Sequence, residues 1–179
     1  FSEFKDKITE LQSSGMSKMI VDLRDNPGGV LDEACNMADM ILPEGIITYT
    51  ETKSGKRTDY NSDAESLDIP IVILINENSA SASEVFTGAL KDYGKATVVG
   101  KKSYGKGIVQ SVLPFYDGSG MSLTVAKYYT PNGTCIHGIG IEPDVEVDMP
   151  DEYKDMYASM VEHDKDTQLQ KAIEIIKEK

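Results

Sequence analysis

The chain has little from which a membrane anchor, a nucleic-acid interface, a disulfide framework or a metal centre could be built. No apolar run approaches the roughly 20 residues that span a bilayer, and no charged-then-apolar leader opens the sequence. Lysine and arginine number 18 against 30 acidic residues, a formal charge of −12, and no stretch clusters them. Phosphate neutralisation needs such clusters, so nucleic acid is excluded as the expected partner and an anionic membrane surface is disfavoured. Two cysteines, Cys35 and Cys135, form at most one pair, and their separation in sequence does not decide whether they meet. With only two histidines, His137 and His163, no zinc-like spacing arises, and no metal or other cofactor is expected.

What remains is the composition of a soluble enzyme core: 179 residues, 40% hydrophobic and 27% charged, enough for one domain with a sizeable interior. Position 1 is Phe, which points to an excised fragment, with any export signal or anchor outside it.

Periodicity places the elements. Phe1, Phe4, Ile8 and Leu11 share one helical face, ended by Gly15. Met19 to Leu23 reads as a strand, and Arg24-Asp25-Asn26-Pro27-Gly28-Gly29 as a break before a helix from about Leu31 to Ile41. Ile46 to Tyr60 is a polar hairpin around Ser54-Gly55, followed by an acidic loop. Ile71 to Ile75 is an unbroken aliphatic run, the pattern of a central strand covered on both faces of a parallel sheet. A helix from Ser83 to about Tyr93 and a strand at Ala96 to Val99 complete a strand, helix, strand unit. Two strands, Ile108 to Leu113 and Ser122 to Tyr128, form a hairpin-like pair, and a helix is expected from about Asp151. The fold class is therefore α/β with a mostly parallel sheet flanked by helices and a small β-hairpin excursion. Residues 1–150 form the core and 151–179 a helical extension packed on it.

The chemistry sits in two stretches. Asn78-Ser79-Ala80-Ser81-Ala82-Ser83-Glu84 follows the buried strand and opens a helix, whose unpaired N–H groups and positive dipole end favour an anion such as a tetrahedral oxyanion. Ser81-Ala82-Ser83-Glu84 is equally a Ser-x-x-Glu capping box, and Ser79 and Ser83 are rival hydroxyls, so this segment alone does not choose a nucleophile. The second stretch, Tyr104-Gly105-Lys106-Gly107, sets a lysine between glycines that let another chain approach closely. A serine is a weak nucleophile until a base takes its proton, and a lysine can be that base if burial strips its charge. Gln110 lies an even number of residues beyond Lys106 along an extended segment, on the same side, where it could orient the amine. Gly28 and Gly29 are candidates for an oxyanion donor, since a glycine amide meets a reacting carbonyl without Cβ interference. A triad through His137 has no acidic partner suggested by the sequence, and the full phosphate-loop pattern is absent around Gly105-Lys106-Gly107.

Five ordered motifs then match one family: Asp22 to Gly29, Ser79 to Glu84, Ser103 to Gln110, Tyr129 to Gly133, and Gly140-Ile141-Glu142-Pro143-Asp144. Together they resemble the carboxyl-terminal processing peptidases, or tail-specific proteases, over roughly Phe1 to Val147. The resemblance implies a crotonase-like core and a Ser-Lys pair, with Ser81 as nucleophile, Lys106 as general base and Gln110 as its partner. It implies an oxyanion hole from the Ala82 amide and one of Gly28 or Gly29. It further implies an unfolded or C-terminal polypeptide as substrate, a parent protein in the cell envelope, and room for a homo-oligomer. Family members usually carry a PDZ domain that captures substrate tails, and no segment here reads as one. The competing readings are a catalytically silent crotonase-like module binding an acyl group or other ligand, and a scaffold whose acidic surface meets a basic partner.

Overall fold

The computed structural model describes residues 1–179. Its centre is the strand that the aliphatic run announces. Strand β4 (Ile71–Ile75) is buried at every position and lies between parallel neighbours β1 (Met19–Asp22) and β5 (Ala96–Gly100). A two-residue strand β8 (Val145–Glu146) closes the order β1-β4-β5-β8. Successive side chains of β4 point to opposite faces. Ile71, Ile73 and Ile75 join the main core with Val98 of β5 and with Val85, Phe86, Ala89 and Leu90 of α3 (Ala82–Asp92). Val72, Leu74 and Val99 join a smaller core with Ala172 and Ile176 of α4 (Thr167–Glu178). Two helical layers therefore cover this sheet, as its lack of polar alternation requires. The main core also takes Ala34, Cys35 and Ala38 of α2 (Leu31–Asp39). Helix α1 (Ser2–Ser13) buries only Ile8 and ends before Gly15, whose φ is +88°.

A second sheet, antiparallel, runs in the order β3-β2-β7-β6: β2 (Gly45–Thr52), β3 (Arg57–Ser62), β6 (Ile108–Pro114) and β7 (Gly120–Tyr129). The polar hairpin expected as an excursion is thus part of a larger sheet. Tyr49 of β2 pairs in register with Tyr129 of β7, their rings stacked at 4.9 Å, and the Arg57 guanidinium lies 3.6 Å above the Tyr49 ring. Such cross-strand aromatic and cation–π contacts fix register. Ile47 and Tyr128 carry this sheet's apolar side into the main core, joined there by Ile136 from the segment after β7.

The C-terminal region departs from expectation. Residues 151–166 hold only two short 3₁₀ turns, Asp151–Tyr153 and Ala158–Met160, and the helix begins at Thr167. Asp166 sets that start by accepting the Leu169 N–H at 2.9 Å. No helix is long and apolar enough to cross a membrane.

Candidate active site

The site forms where the loops leaving β1, β4 and β5 converge at the carboxyl ends of the parallel strands, the usual location for ligands in such sheets. After β4 the chain turns at Asn76, and the three candidate serines separate by environment. Ser79 is fully buried, and its hydroxyl donates to the Leu23 carbonyl at 2.7 Å and accepts from the Asn76 N–H at 3.0 Å. It joins two loops and has no free role. Ser83 is buried within α3. Ser81 is half-buried at the head of α3 with φ +58° and ψ −118°, a backbone conformation that side chains with a Cβ rarely adopt. Strain of this kind persists only where surroundings enforce it, and it concentrates at working sites.

The enforcing group is Glu84, 1% exposed and without any ion-pair partner. Its Oε2 accepts the Ser81 N–H at 2.8 Å and the Lys106 N–H at 2.8 Å. Its Oε1 accepts the Ser103 hydroxyl and the Gly105 N–H, both at 2.6 Å. Four donors and the positive end of α3 balance a buried carboxylate here. The capping box is thereby unequal: the Glu84 N–H has its well-formed bond with the Ser81 carbonyl, at 2.9 Å. Glu84 thus spans the serine turn and the lysine loop. In the sequence it shows only as the third residue of a capping box, and nothing there reveals its second task.

The glycine loop closes the third side. Ala80 N–H donates to the Asn26 carbonyl at 3.0 Å, and Gly28, with φ +82°, lies so close to the serine turn that a Cβ on it would stand 2.7 Å from the Ala82 nitrogen. Asn26 Oδ1 accepts the Gly28 N–H at 2.9 Å, whereas the N–H groups of Gly29 and Ala82 make no hydrogen bond within the chain. Two unpaired donors beside one hydroxyl can hold an oxyanion. They border a hollow of about 220 Å³, with Val30, Ala34, Met37 and Phe86 among its walls.

Lys106 is exposed rather than buried, and borders a second hollow of about 490 Å³ with Pro27, Ala80, Tyr104 and Tyr157. Its amine makes no hydrogen bond to the Ser81 hydroxyl or to Gln110, which is exposed on β6 opposite Thr124. The structure therefore gathers Ser81, Ala82, Gly28 and Gly29 and the main chain of Lys106, and leaves Gln110 outside that group. His137 is exposed, with no carboxylate bonded to its ring.

The model of peptidase family S41 matches residues 1–147. The chain belongs to peptidase family S41. A probable CtpA-like serine protease of Staphylococcus aureus is 50% identical over 153 residues, covering 83% of this chain and 31% of that protein. The corresponding Staphylococcus epidermidis protein is 46% identical over the same length. This S41 chain therefore spans about a third of the length of the curated relatives it matches. Among solved structures, a photosystem II D1 C-terminal processing protease superposes with a TM-score of 0.74 at 39% identity, covering 80% of this chain and 38% of that one. An S41 protease from Bacteroides fragilis superposes with a TM-score of 0.80 at 20% identity, covering 99% and 49%, which establishes the shared fold.

Proposed function

We propose that this chain carries the catalytic centre of a serine endopeptidase that cuts polypeptides near their carboxyl ends. The observation that carries the reading is the single oxygen, Glu84 Oε2, that accepts both the Ser81 and the Lys106 N–H groups and so holds the two backbones side by side. In the proposed step the neutral Lys106 amine takes the Ser81 hydroxyl proton as Oγ bonds to the scissile carbonyl carbon. The Ala82 N–H and one glycine N–H receive the oxyanion. Gly29 is the better donor of the two glycines, because the Gly28 N–H is spent on Asn26. Collapse breaks the C–N bond, Lys106 returns its proton to the departing amine, and water releases the acyl group from Ser81.

A lysine in water is charged and cannot accept a proton. The exposed position of Lys106 therefore gives substrate a second task, since a peptide lying in the hollow beside it excludes water. Hydrogen bonds of catalytic groups commonly tighten only in the complex. Gln110 enters as orienting partner through the family resemblance alone. Carboxyl-terminal processing is supported by the D1 processing protease and the CtpA-like relatives, and a cell-envelope setting by the resemblance to exported tail-specific proteases.

The test is hydrolysis of an unfolded protein by the whole protein that contains this chain. Ser81→Ala and Lys106→Ala should each lower kcat/KM by about a thousandfold or more, with far-UV circular dichroism unchanged. Activity within tenfold of the parent in either variant would refute the pair.

A further inference from the structure

Residues beyond 147 fall outside the span matched by the family model, yet they return to the candidate site. The Ala158 N–H donates to Asp25 Oδ2 at 2.8 Å. Asp25 Oδ1 accepts from the side-chain amides of Asn76 at 2.9 Å and Asn78 at 2.8 Å, and the Asp25 N–H donates to Asn76 Oδ1 at 2.9 Å. One carboxylate thus fastens the turn at 157–160 to the glycine loop and the serine loop together. Asp25 itself has φ +58°, held by these bonds. The outcome is that Tyr157, 61% exposed, stands on the same hollow as Tyr104, 69% exposed, with Pro27, Ala80 and Lys106 between the same walls. Asp25 and Asn78 also line this hollow, but their side chains are engaged with each other and with Asn76 and Ala158, so the two exposed rings with Pro27 and Ala80 present its receptor for apolar surface.

We infer that this hollow is the subsite for the segment leaving after bond cleavage, and that Tyr104 and Tyr157 grip a bulky apolar or aromatic side chain just beyond the scissile bond. The inference rests on the peptidase reading, because the sidedness comes from Lys106. The amine that returns a proton to the departing nitrogen lies under the departing segment, and Lys106 borders this hollow rather than the one beside Gly29 and Ala82. Asp25 is a positioning residue here, acting through Ala158 on Tyr157.

Two measurements on the whole protein test it. In the first, blocked peptides with Phe, Leu or Gly after the cut are compared. Phe and Leu should exceed Gly in kcat/KM by about tenfold or more, Tyr157→Ala should bring that ratio close to one, and Tyr157→Phe, which keeps the ring, should preserve it. An unchanged ratio in Tyr157→Ala overturns the subsite. In the second, calorimetric titration of the Ser81→Ala protein with the product-like peptide Phe-Ala-Ala-amide should show about tenfold weaker binding when Tyr157→Ala is added, and equal binding overturns the subsite. Cleavage with an unaltered ratio leaves the peptidase reading standing without the subsite. Absence of cleavage, with binding that depends on Tyr157, sinks the peptidase reading and keeps the subsite.

Discussion

Replacing Glu84 by Gln removes one oxygen from a residue that is 1% exposed and accepts four hydrogen bonds. The new NH₂ group must face one of two donor pairs. Facing Ser81 and Lys106, it leaves both main-chain N–H groups without an acceptor. Facing Ser103 and Gly105, it can be met by the second lone pair of the Ser103 oxygen, which already accepts the Ile141 N–H at 2.7 Å, only if that hydroxyl turns round and gives up its own acceptor, and the Gly105 N–H is orphaned in either case. Each buried donor left unpaired costs about 1–3 kcal/mol, and bonds to a charged acceptor lie toward the upper end. The cheaper orientation therefore costs about 2–4 kcal/mol, and a chain of this size loses roughly 2–4 °C per kcal/mol. Calorimetry should show the melting temperature of Glu84→Gln lower by roughly 5–15 °C. Hydrolysis assayed well below both transitions should fall by about tenfold or more, because the serine turn and the lysine loop lose their common acceptor. A variant that melts within 2 °C of the parent and cleaves at the same rate would refute the argument that this carboxylate assembles the site.

Gly28→Ala forces a Cβ against Ala80 and Ala82 at a φ of +82°, whereas a Cβ on Gly29 meets nothing within 4 Å. Urea denaturation should place Gly28→Ala about 1–3 kcal/mol below the parent and Gly29→Ala close to it; equal losses would contradict the packing. For Asp25, burial pushes the carboxyl upward, but hydrogen bonds from Asn78, Ala158 and Asn76 and the charge of Arg24 outweigh it and hold the acid below its ordinary value of 3.8. A depressed carboxyl stabilises the fold fully above the unfolded value and loses that contribution as pH falls through the folded one. The stability gap between the parent and Asp25→Asn should thus be constant near neutrality and shrink below about pH 3.8; a gap that widens in acid is the opposite sign. Burial and the charge of Asp32 push the Cys35 thiol up to about 12, while Cys135 is half-buried. A thiol reagent at pH near 8 should label one cysteine quickly and the other only on unfolding, and fast labelling of both would count against the burial of α2.

Much of the parallel half was legible because its signals are local. The run Ile71 to Ile75 has no polar alternation, so it could only be covered on both sides, and it is. The antiparallel half was legible strand by strand but not as a sheet, because the pairing of Tyr49 with Tyr129 joins segments that no periodicity connects. Residues 151–166 carry helix-forming side chains without an apolar stripe, and there the backbone bonds to Asp25 instead of to itself at Ala158. At the site, Ser81 could not be separated from Ser79 by sequence, since what separates them is the Leu23 carbonyl that claims one hydroxyl. Glu84 was visible as a cap and invisible as a bridge, because its other three donors, on Ser103, Gly105 and Lys106, arrive from a loop about 20 residues away.

Arg24 is the last residue before the glycine loop, and its guanidinium is clamped by Asp22 on one side and by Asp166 at 2.7 and 2.9 Å on the other. Asp166 opens α4, which lies on the far side of the parallel sheet from α3. The carboxyl-terminal helix is consequently moored to the candidate site through the sheet's end. A chain cut short ahead of residue 166 would leave Asp22 as the one carboxylate on a cation whose side chain is 2% exposed, at the head of the loop that carries Gly28 and Gly29. Losing one of its two carboxylates loosens the anchorage of that loop, so trimming the tail of this protein amounts to damaging its mouth.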